Sequence, residues 1–269
     1  MDNDYWQKQT PGKALFDDVL WSKPERRDQA GRLAIVGGNS QGFWAVAAGY
    51  NWARRAGVGE VRVLVPDALK SKLPRVVTAQ ISDLIMADSN PSGGFAMSAE
   101  NDLIAAAHWA GNLLLIGDSG ANSETTQLFA KLLGDENLGG VRITTARDAV
   151  DAIVYNAEAV LNRPKTTLVL SVAQLQKLAR AVYYPRVITF SQGARQIAET
   201  LHKFTITYSA TVVLFHDDNL FVANGGDVVS QPFSAPARVW NGEVPTLAAV
   251  WQVWQSDPLK AIATSWKAL

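Results

Sequence analysis

Short apolar runs that alternate with helical patterns are the feature that most restricts the fold of this chain. The runs lie at residues 33–36, 61–65, 113–116, 141–144 and 168–170. The first, third and fifth are apolar throughout, which is typical of strands buried on both faces of a mostly parallel sheet. Helices are predicted between them at residues 44–56, 99–109, 124–133, 149–161 and 172–182, with Ser98 and Ser123 as N-caps of the second and third. This order predicts βαβ units in a doubly wound α/β sheet.

The pattern changes towards the C-terminus. Two apolar runs, 211–215 and 220–223, flank four polar residues and predict a β-hairpin. Helices are predicted at 245–255 and 258–268, because each segment opens with a proline, which suits a first helical turn. Residues 225–243 are rich in Gly, Pro, Ser and Asn and are interpreted as a functional or flexible loop. We expect a single domain over residues 1–269, with residues 1–30 as an N-terminal extension.

Composition excludes several classes of function. Lys plus Arg and Asp plus Glu both total 25, so the formal net charge is zero and we expect no nucleic-acid partner. The absence of cysteine excludes disulfides, thiolate catalysis and cysteine-ligated zinc. No run approaches the roughly 18 apolar residues of a membrane span, and the sequence does not open on an export signal. We therefore expect a cytoplasmic protein without a membrane partner.

The glycine-rich segment at residues 37–42 follows the first buried strand and opens a helix. Free backbone N–H groups and the positive end of the helix dipole favour an anion at such a place. The segment, Gly-Gly-Asn-Ser-Gln-Gly, lacks the G-x-G-x-x-G spacing of a dinucleotide fingerprint. It also lacks the lysine and hydroxyl of a P-loop, because Phe43 and Trp44 follow the last glycine. A turn that needs its glycines only for backbone geometry remains an alternative.

A longer stretch resembles the opening of the NAD(P)H-hydrate dehydratases of the ribokinase-like superfamily, which are often called carbohydrate-kinase-related. The resemblance runs from Trp21-Ser22-Lys23-Pro24 through the Gly-Arg-Leu-Ala-Ile-Val-Gly-Gly-Asn-Ser-Gln-Gly run at residues 31–42 to the Arg-Ala-Gly-Val-Gly-Glu-Val run at 55–61. It implies a ribokinase-like fold with helices on both faces of the sheet. It also implies a lyase that uses ATP or ADP with Mg²⁺ to transfer a phosphoryl group to hydrated NAD(P)H, after which phosphate is eliminated.

The resemblance also assigns roles to individual residues, although no protein-ligated metal. The catalytic base corresponds to Glu243. The residues implied to bind the phosphate and nucleotide are Asn241, Gly242, Gly117 and Asp118, and those implied to bind the substrate are Gly38, Asn39, Ser40, Gly42 and Asp148.

The sequence departs from the family at several of its motifs. The late Gly-Gly-x-Gly-Asp segment is Val239-Trp240-Asn241-Gly242-Glu243 here, so one glycine of the anion hole remains and the base is one methylene longer. The segment at 169–174 lacks the family's histidine and glutamate, and the segment at 206–211 lacks its lysine. These losses indicate weakened or lost nucleotide chemistry. The alternatives are an inactive nucleotide-binding or scaffold homologue and a small-molecule kinase of the same superfamily, and Glu243 is alternatively a stabilising first-turn acid.

The remaining polar and aromatic residues indicate structural roles. His108, His202 and His216 have no metal-ligand spacing, and the Asp217-Asp218 pair lies in the predicted hairpin turn. No G-x-S-x-G elbow surrounds a serine. Nine tryptophans are present, and those near the C-terminus predict an aromatic cluster in the core. A contact between subunits of a homo-oligomer is the alternative interpretation of that cluster.

Overall fold

The structure is a computed structural model that describes residues 4–73 and 79–269. Its described strands form one sheet in the order β1-β10-β9-β8-β7-β6-β5-β2-β3-β4. The strands are β1 (Trp6–Lys8), β2 (Arg32–Gly37), β3 (Glu60–Pro66), β4 (Leu84–Ala87), β5 (Asn112–Gly117), β6 (Arg142–Ala146), β7 (Thr166–Leu170), β8 (Thr211–His216), β9 (Asn219–Asn224) and β10 (Asp227–Pro232).

All five predicted buried runs form strands of this sheet. Every pairing from β4 through to β8 is parallel, as their apolar composition predicts. β8 and β9 form the predicted antiparallel hairpin. Asp217 and Asp218 have φ values of 50° each, which identifies the mirror-image type of turn that suits the twist of a hairpin.

Ten described helices pack against the sheet. They are α1 (Trp44–Ala56), α2 (Glu100–Ala110), α3 (Ser123–Gly134), α4 (Asp148–Ile153), α5 (Ala157–Asn162), α6 (Val172–Ala181), α7 (Ala194–Thr207), α8 (Ala237–Trp240), α9 (Glu243–Trp254) and α10 (Pro258–Ser265).

The two faces of the sheet carry different helices. Leu33 and Ile35 of β2 belong to a core cluster with residues of α1 and α9, whereas Ala34 and Val36 belong to the cluster on the other face, which includes residues of α2 to α7. All four side chains are fully buried. Helices on both faces of the sheet therefore explain why residues 33–36 are all apolar, because successive side chains of a strand point to opposite sides.

Several predicted boundaries were wrong, and each error has a local physical cause. The cap of α3 is Asn122, whose side chain accepts the N–H groups of Glu124 and Thr125, so Ser123 lies inside the helix. Ser98 caps nothing, because a short 3₁₀ turn at Met97–Ala99 leads into α2. The helix predicted at 149–161 is divided into α4 and α5 by a 3₁₀ turn at Val154–Asn156. The helix predicted from Pro245 begins at Glu243.

The segment predicted as a loop at 225–243 contains β10 and α8. The N-terminal segment also contributes to the sheet, because β1 pairs in parallel with β10 and the Trp6 indole donates to Ser230 Oγ at 2.9 Å. Together with β4 and α7, these elements are absent from the sequence-based prediction. In the described residues, no helix has the length and apolar character needed to cross a membrane.

The predicted C-terminal aromatic cluster is present in part. Trp266 is fully buried in the core beneath α9 and α10. Trp251 and Trp254 meet edge to face with 5.3 Å between ring centroids, and the Trp254 indole donates to the Ala30 carbonyl at 2.9 Å. These tryptophans therefore attach the C-terminal helices to the segment before β2.

Candidate functional site

A cavity of about 680 Å³ opens where β2, β5, β6 and β7 end. Ligands of open α/β sheets bind at this carboxyl edge. The wall consists of loop residues after these strands, residues of α4 and α6, and one aromatic side chain from the end of α8. The lining residues are Asn39, Gln41, Gly42, Asp118, Gly120, Arg147, Asp148, Asp151, Ser171, Ala173, Gln174, Lys177 and Trp240.

A second cavity of about 620 Å³ adjoins the first. The two share Gly120, Asp148, Asp151 and Lys177. Lys177 Nζ lies 2.8 Å from Asp151 Oδ1, so one ion pair stands at the boundary between the cavities. Tyr155, which is 82% exposed, stands in the wall of the second cavity. The carboxyl edge can therefore hold a ligand that extends from one cavity into the other.

The glycine-rich turn after β2 satisfies its own backbone groups. The Asn39 side-chain oxygen accepts the N–H groups of Gln41 at 2.6 Å and Gly42 at 3.1 Å, and its amide donates to the Asp118 carbonyl at 2.6 Å. Gly38 has φ +87°, which favours glycine. Ser40 turns away from the cavity, since its N–H donates to the Gly93 carbonyl. The turn thus offers few free amides to an anion.

Asp118 occupies the anion position at the start of α1. Its Oδ2 accepts the Ala45 N–H at 2.7 Å, and its Oδ1 forms an ion pair with the Arg147 guanidinium. The Asp118 side chain is 11% exposed and that of Arg147 is 26% exposed, so the pair is largely shielded from solvent. A carboxylate of the chain therefore stands where a helix N-terminus would attract a ligand anion.

Asp148 fills the second set of amides in the same way. Its Oδ2 accepts the N–H groups of Ser119 at 2.8 Å and Gly120 at 2.9 Å. Gly117 precedes this turn with φ +91°, and a Cβ there would collide with Asp148 Oδ1. The glycine is thus required so that the carboxylate can lie over the turn.

The segment before α9 is also internally satisfied. Gly242 has φ +95°, and the Glu243 N–H donates to the Asn241 side-chain oxygen at 3.1 Å. The Glu243 carboxylate is 2% exposed and receives two hydrogen bonds from Arg238, one of them at 2.7 Å. This hydrogen bonding raises the pKa of Arg238 above its ordinary value, so the guanidinium remains charged. The Trp240 carbonyl accepts a hydrogen bond from Arg147.

Some buried polar atoms at the first cavity have no hydrogen-bond partner among the described residues. Ser119 Oγ, Arg147 Nε and Asp148 Oδ1 are buried atoms without a hydrogen-bond partner in the described part of the chain. Arg147 also has φ 58° and ψ −136°, a conformation that side-chain-bearing residues rarely adopt. Unpaired buried polar atoms and unusual backbone angles are concentrated at functional sites in many proteins. Their position supports this cavity as the candidate site.

The structure places some predicted site residues in the cavity wall and others outside it. Asn39, Gly42, Asp118 and Asp148 line the cavity, while Gly38 and Gly117 lie in the turns behind them. Ser40, Asn241, Gly242 and Glu243 are not among the lining residues. The role of Glu243 as a catalytic base stays a prediction, and its buried ion pair with Arg238 opposes it. The stabilising first-turn acid is the interpretation that this geometry favours.

Sequence reasoning missed several cavity residues, among them Arg147 and Gln174. Arg147 directly follows β6, and Gln174 lies in the first turn of α6, where it completes a capping box with Ser171 and donates to the Arg147 carbonyl at 2.7 Å. Polar residues directly after buried parallel strands meet at one edge of the sheet. Applied to the ends of β6 and β7, this rule would have predicted Arg147 and Gln174 as residues of the site.

The comparisons with known proteins identify the fold. Neither the scan against protein-family models nor the search of curated proteins found a match. Among solved structures, a ribokinase-like superfamily protein from Enterococcus faecalis V583 superposes with a TM-score of 0.72 at 12% identity, covering 98% of this chain and 86% of that chain. The chain has the ribokinase-like fold.

Two further structural neighbours carry activities in their names. The ADP/ATP-dependent NAD(P)H-hydrate dehydratase from Bacillus subtilis, co-crystallised with ATP and Mg²⁺, has a TM-score of 0.58 at 11% identity over 94% of this chain and 85% of that chain. A hydroxyethylthiazole kinase from Pyrococcus horikoshii OT3 has a TM-score of 0.56 at 11% identity, covering 92% of this chain and 81% of that chain. At these identities the similarity establishes the fold alone.

The side chains around this cavity do not fit a magnesium nucleotide as they are arranged. Phosphate groups need free amides or unpaired cations, and Mg²⁺ needs carboxylate oxygens near them. The amides after β5 and at the start of α1 are taken by Asp148 and Asp118, and the latter also engages Arg147. Within residues 4–73 and 79–269, no group of three or more His, Asp or Glu side chains could hold a metal ion.

Proposed function

We propose that this chain is a ribokinase-like binding protein that holds a nucleoside-type small molecule in the carboxyl-edge cavity and does not transfer a phosphoryl group. The observation that carries the proposal is that Asp118 and Asp148 occupy the anion positions of the site. A polyphosphate would have to displace both carboxylates. Displacement would break an ion pair and three hydrogen bonds from backbone N–H groups, and a charge-assisted bond contributes about 1.5–3 kcal/mol.

The charge of the cavity wall supports a neutral ligand. Asp118, Asp148 and Asp151 contribute three carboxylates, while Arg147 and Lys177 contribute two cations. Each cation is already paired with one of these carboxylates. The local excess is therefore negative, and it repels triphosphate and diphosphate groups.

The uncharged part of the wall indicates what kind of neutral ligand is accepted. Asn39, Gln41, Ser171 and Gln174 offer amides and a hydroxyl that can pair with sugar hydroxyls and ring nitrogens. Trp240 adds an aromatic surface for a planar ring. A nucleoside combines these two chemical features, and a volume of about 680 Å³ lies within the range of small-molecule sites.

Calorimetric titration with adenosine, nicotinamide riboside, NADH, ADP and ATP tests the binding part of this proposal. We expect the nucleosides to bind, and the nucleoside polyphosphates to bind at least about tenfold more weakly. Trp240→Leu should weaken nucleoside binding, whereas Trp21→Leu, at an exposed position outside the wall, should leave it unchanged. ATP binding more tightly than adenosine would contradict the proposal.

A second candidate is the NAD(P)H-hydrate dehydratase reaction, because Asn39, Gln41 and Gly42 of the family-like run line the cavity. If the chain catalyses this reaction, Glu243 is the proposed base and must leave Arg238 to reach a substrate hydroxyl. Incubation with hydrated NADH and either ATP or ADP, followed by the absorbance of restored NADH, separates the two functions. Turnover above the rate of a heat-inactivated sample would establish the enzyme and overturn the non-catalytic proposal.

A further inference from the structure

A third cavity lies at the opposite edge of the sheet and belongs to neither of the two already described. Its volume is about 670 Å³, similar to that of the first cavity. Arg32 and Glu60, the first residues of β2 and β3, stand in its wall, so it opens at the amino ends of strands whose carboxyl ends border the first cavity. The other residues that matter to its chemistry are Arg27, Asp28, Gln29, Gly59 and Trp109.

One arginine in the wall of this amino-edge cavity has no carboxylate partner in the described residues. Three neighbouring carboxylates each have an arginine partner, in the pairs Arg26–Asp28 at 2.6 Å, Arg32–Glu60 at 3.5 Å and Arg62–Asp83 at 2.8 Å. Arg27 forms no ion pair with any residue in the described ranges 4–73 and 79–269. Its guanidinium is solvent-exposed and part of the cavity wall. It can therefore pair with an anion from solution without displacing a carboxylate of the protein.

Trp109 gives the same cavity an aromatic wall. The indole is half-buried at the end of α2, with the guanidinium carbon of Arg62 at 4.0 Å and that of Arg32 at 5.2 Å from its ring centroid. Guanidinium groups stack on aromatic rings and, being planar, on further flat groups. Because Arg32 is 49% exposed, its second face is accessible to a ring that enters the cavity.

We propose that the amino-edge cavity binds a planar aromatic ring that carries one phosphate, the chemistry of a nucleoside monophosphate. The ring stacks on the accessible face of Arg32, whose other face lies over Trp109, and the phosphate pairs with Arg27. The adjoining Gln29 amide offers a further donor at the rim. This site differs from the carboxyl-edge cavity, where the anion positions are filled, because here a cation is left for the ligand.

Calorimetric titration of the full-length Trp240→Leu variant, whose carboxyl-edge cavity has lost its aromatic surface, tests the proposal with AMP, and with adenosine and inorganic phosphate as probes that each carry one of the two features. We expect AMP to bind and each partial probe to bind at least about tenfold more weakly, because each lacks one of the two contacts. Arg27→Gln should weaken AMP binding about tenfold or more, as should Trp109→Leu. The matched control is Arg54→Gln, which removes an exposed arginine that forms no ion pair in the described residues and is not part of the wall.

Each other outcome decides against the site. If Trp240→Leu abolishes AMP binding while Arg27→Gln has no effect, AMP occupies the carboxyl-edge cavity and the proposal is wrong. If AMP does not bind, or if adenosine binds as tightly as AMP, the assigned role of Arg27 is wrong. Trp109 lies near the core, so Trp109→Leu is interpreted only beside Arg27→Gln, an exposed change that leaves the fold intact.

Discussion

Asp118 and Arg147 form an ion pair across the mouth of the carboxyl-edge cavity, and the same carboxylate accepts the Ala45 N–H at the start of α1. The pair therefore joins three segments of the site, namely the loop after β5, the loop after β6 and the first turn of α1. Through its second hydrogen bond, Arg147 also holds the Trp240 carbonyl. A single carboxylate thus fixes the shape of the cavity and fills its main anion position.

Replacing that carboxylate should open the anion position. We expect Asp118→Asn to destabilise the chain by about 1–3 kcal/mol, because Arg147 loses its charged partner while largely shielded from water. The same variant should gain affinity for ADP by about tenfold, since Arg147 becomes available to a phosphate. Chemical unfolding measures the first effect and calorimetry the second.

The control for this change is Asp28→Asn, which breaks an ion pair whose side chains are 71% and 61% exposed. Exposed pairs contribute little, so its stability should stay within about 0.5 kcal/mol of the original. If Asp118→Asn leaves ADP affinity unchanged, then Asp118 does not block the anion position.

Substitutions of the Glu243–Arg238 pair test whether Glu243 has a structural or a catalytic role. Glu243→Gln should lower the free energy of unfolding by about 3 kcal/mol, because Arg238 then lacks a charged partner. The lost carboxylate is 2% exposed, so water cannot readily replace it. The double variant Glu243→Met with Arg238→Met should recover much of that loss, since apolar replacements of both members of a buried pair are often neutral. Unfolding midpoints of the three proteins provide the measurement.

Gly117 is expected to be intolerant of any side chain. Its φ is +91°, and a Cβ would collide with Asp148 Oδ1 and come within 2.9 Å of the Arg147 Cβ. Gly117→Ala should therefore lower the free energy of unfolding by about 3 kcal/mol. This figure combines the cost of a positive φ for alanine with the cost of displacing the Asp148 carboxylate. Gly140→Ala is the matched control, because a Cβ there meets nothing within 4 Å. Equal stabilities of the two variants would show that Asp148 is not held over the turn.

Much of this fold could be predicted from local patterns in the sequence. The run at residues 33–36 predicted a strand buried on both faces, and Leu33 and Ala34 do pack against different layers. The hairpin at β8 and β9 followed from two apolar runs around a polar turn. By contrast, β1 has three residues and is defined by its pairing with β10, more than 200 positions away. Such a contact has no local signature, because its stabilisation comes from tertiary pairing.

The site was less predictable than the fold. Asp118 and Asp148 were predicted to bind a nucleotide and a substrate, and both do line the cavity. Their hydrogen bonds to Ala45 and to Ser119, however, depend on side-chain directions that the sequence does not specify. Arg238 was missed altogether, because its partner Glu243 lies across the turn between α8 and α9. The occupation of anion positions by the protein's own acids is thus visible only in three dimensions.

Two phenols that are wholly or partly buried should make the stability of this chain fall at alkaline pH. Burial raises the pKa of Tyr184 and of Tyr208 above the ordinary tyrosine value of about 10. The unfolded chain therefore ionises these groups first, so their contribution is complete below about pH 10 and is lost as pH rises from there through the folded-state values. Tyr208→Phe and Tyr184→Phe should each reduce the fall in unfolding free energy between about pH 10 and 11.

Tyr183→Phe, at a side chain that is 93% exposed, controls for the loss of a phenol. A fall that is unchanged in both of the other variants would refute this assignment.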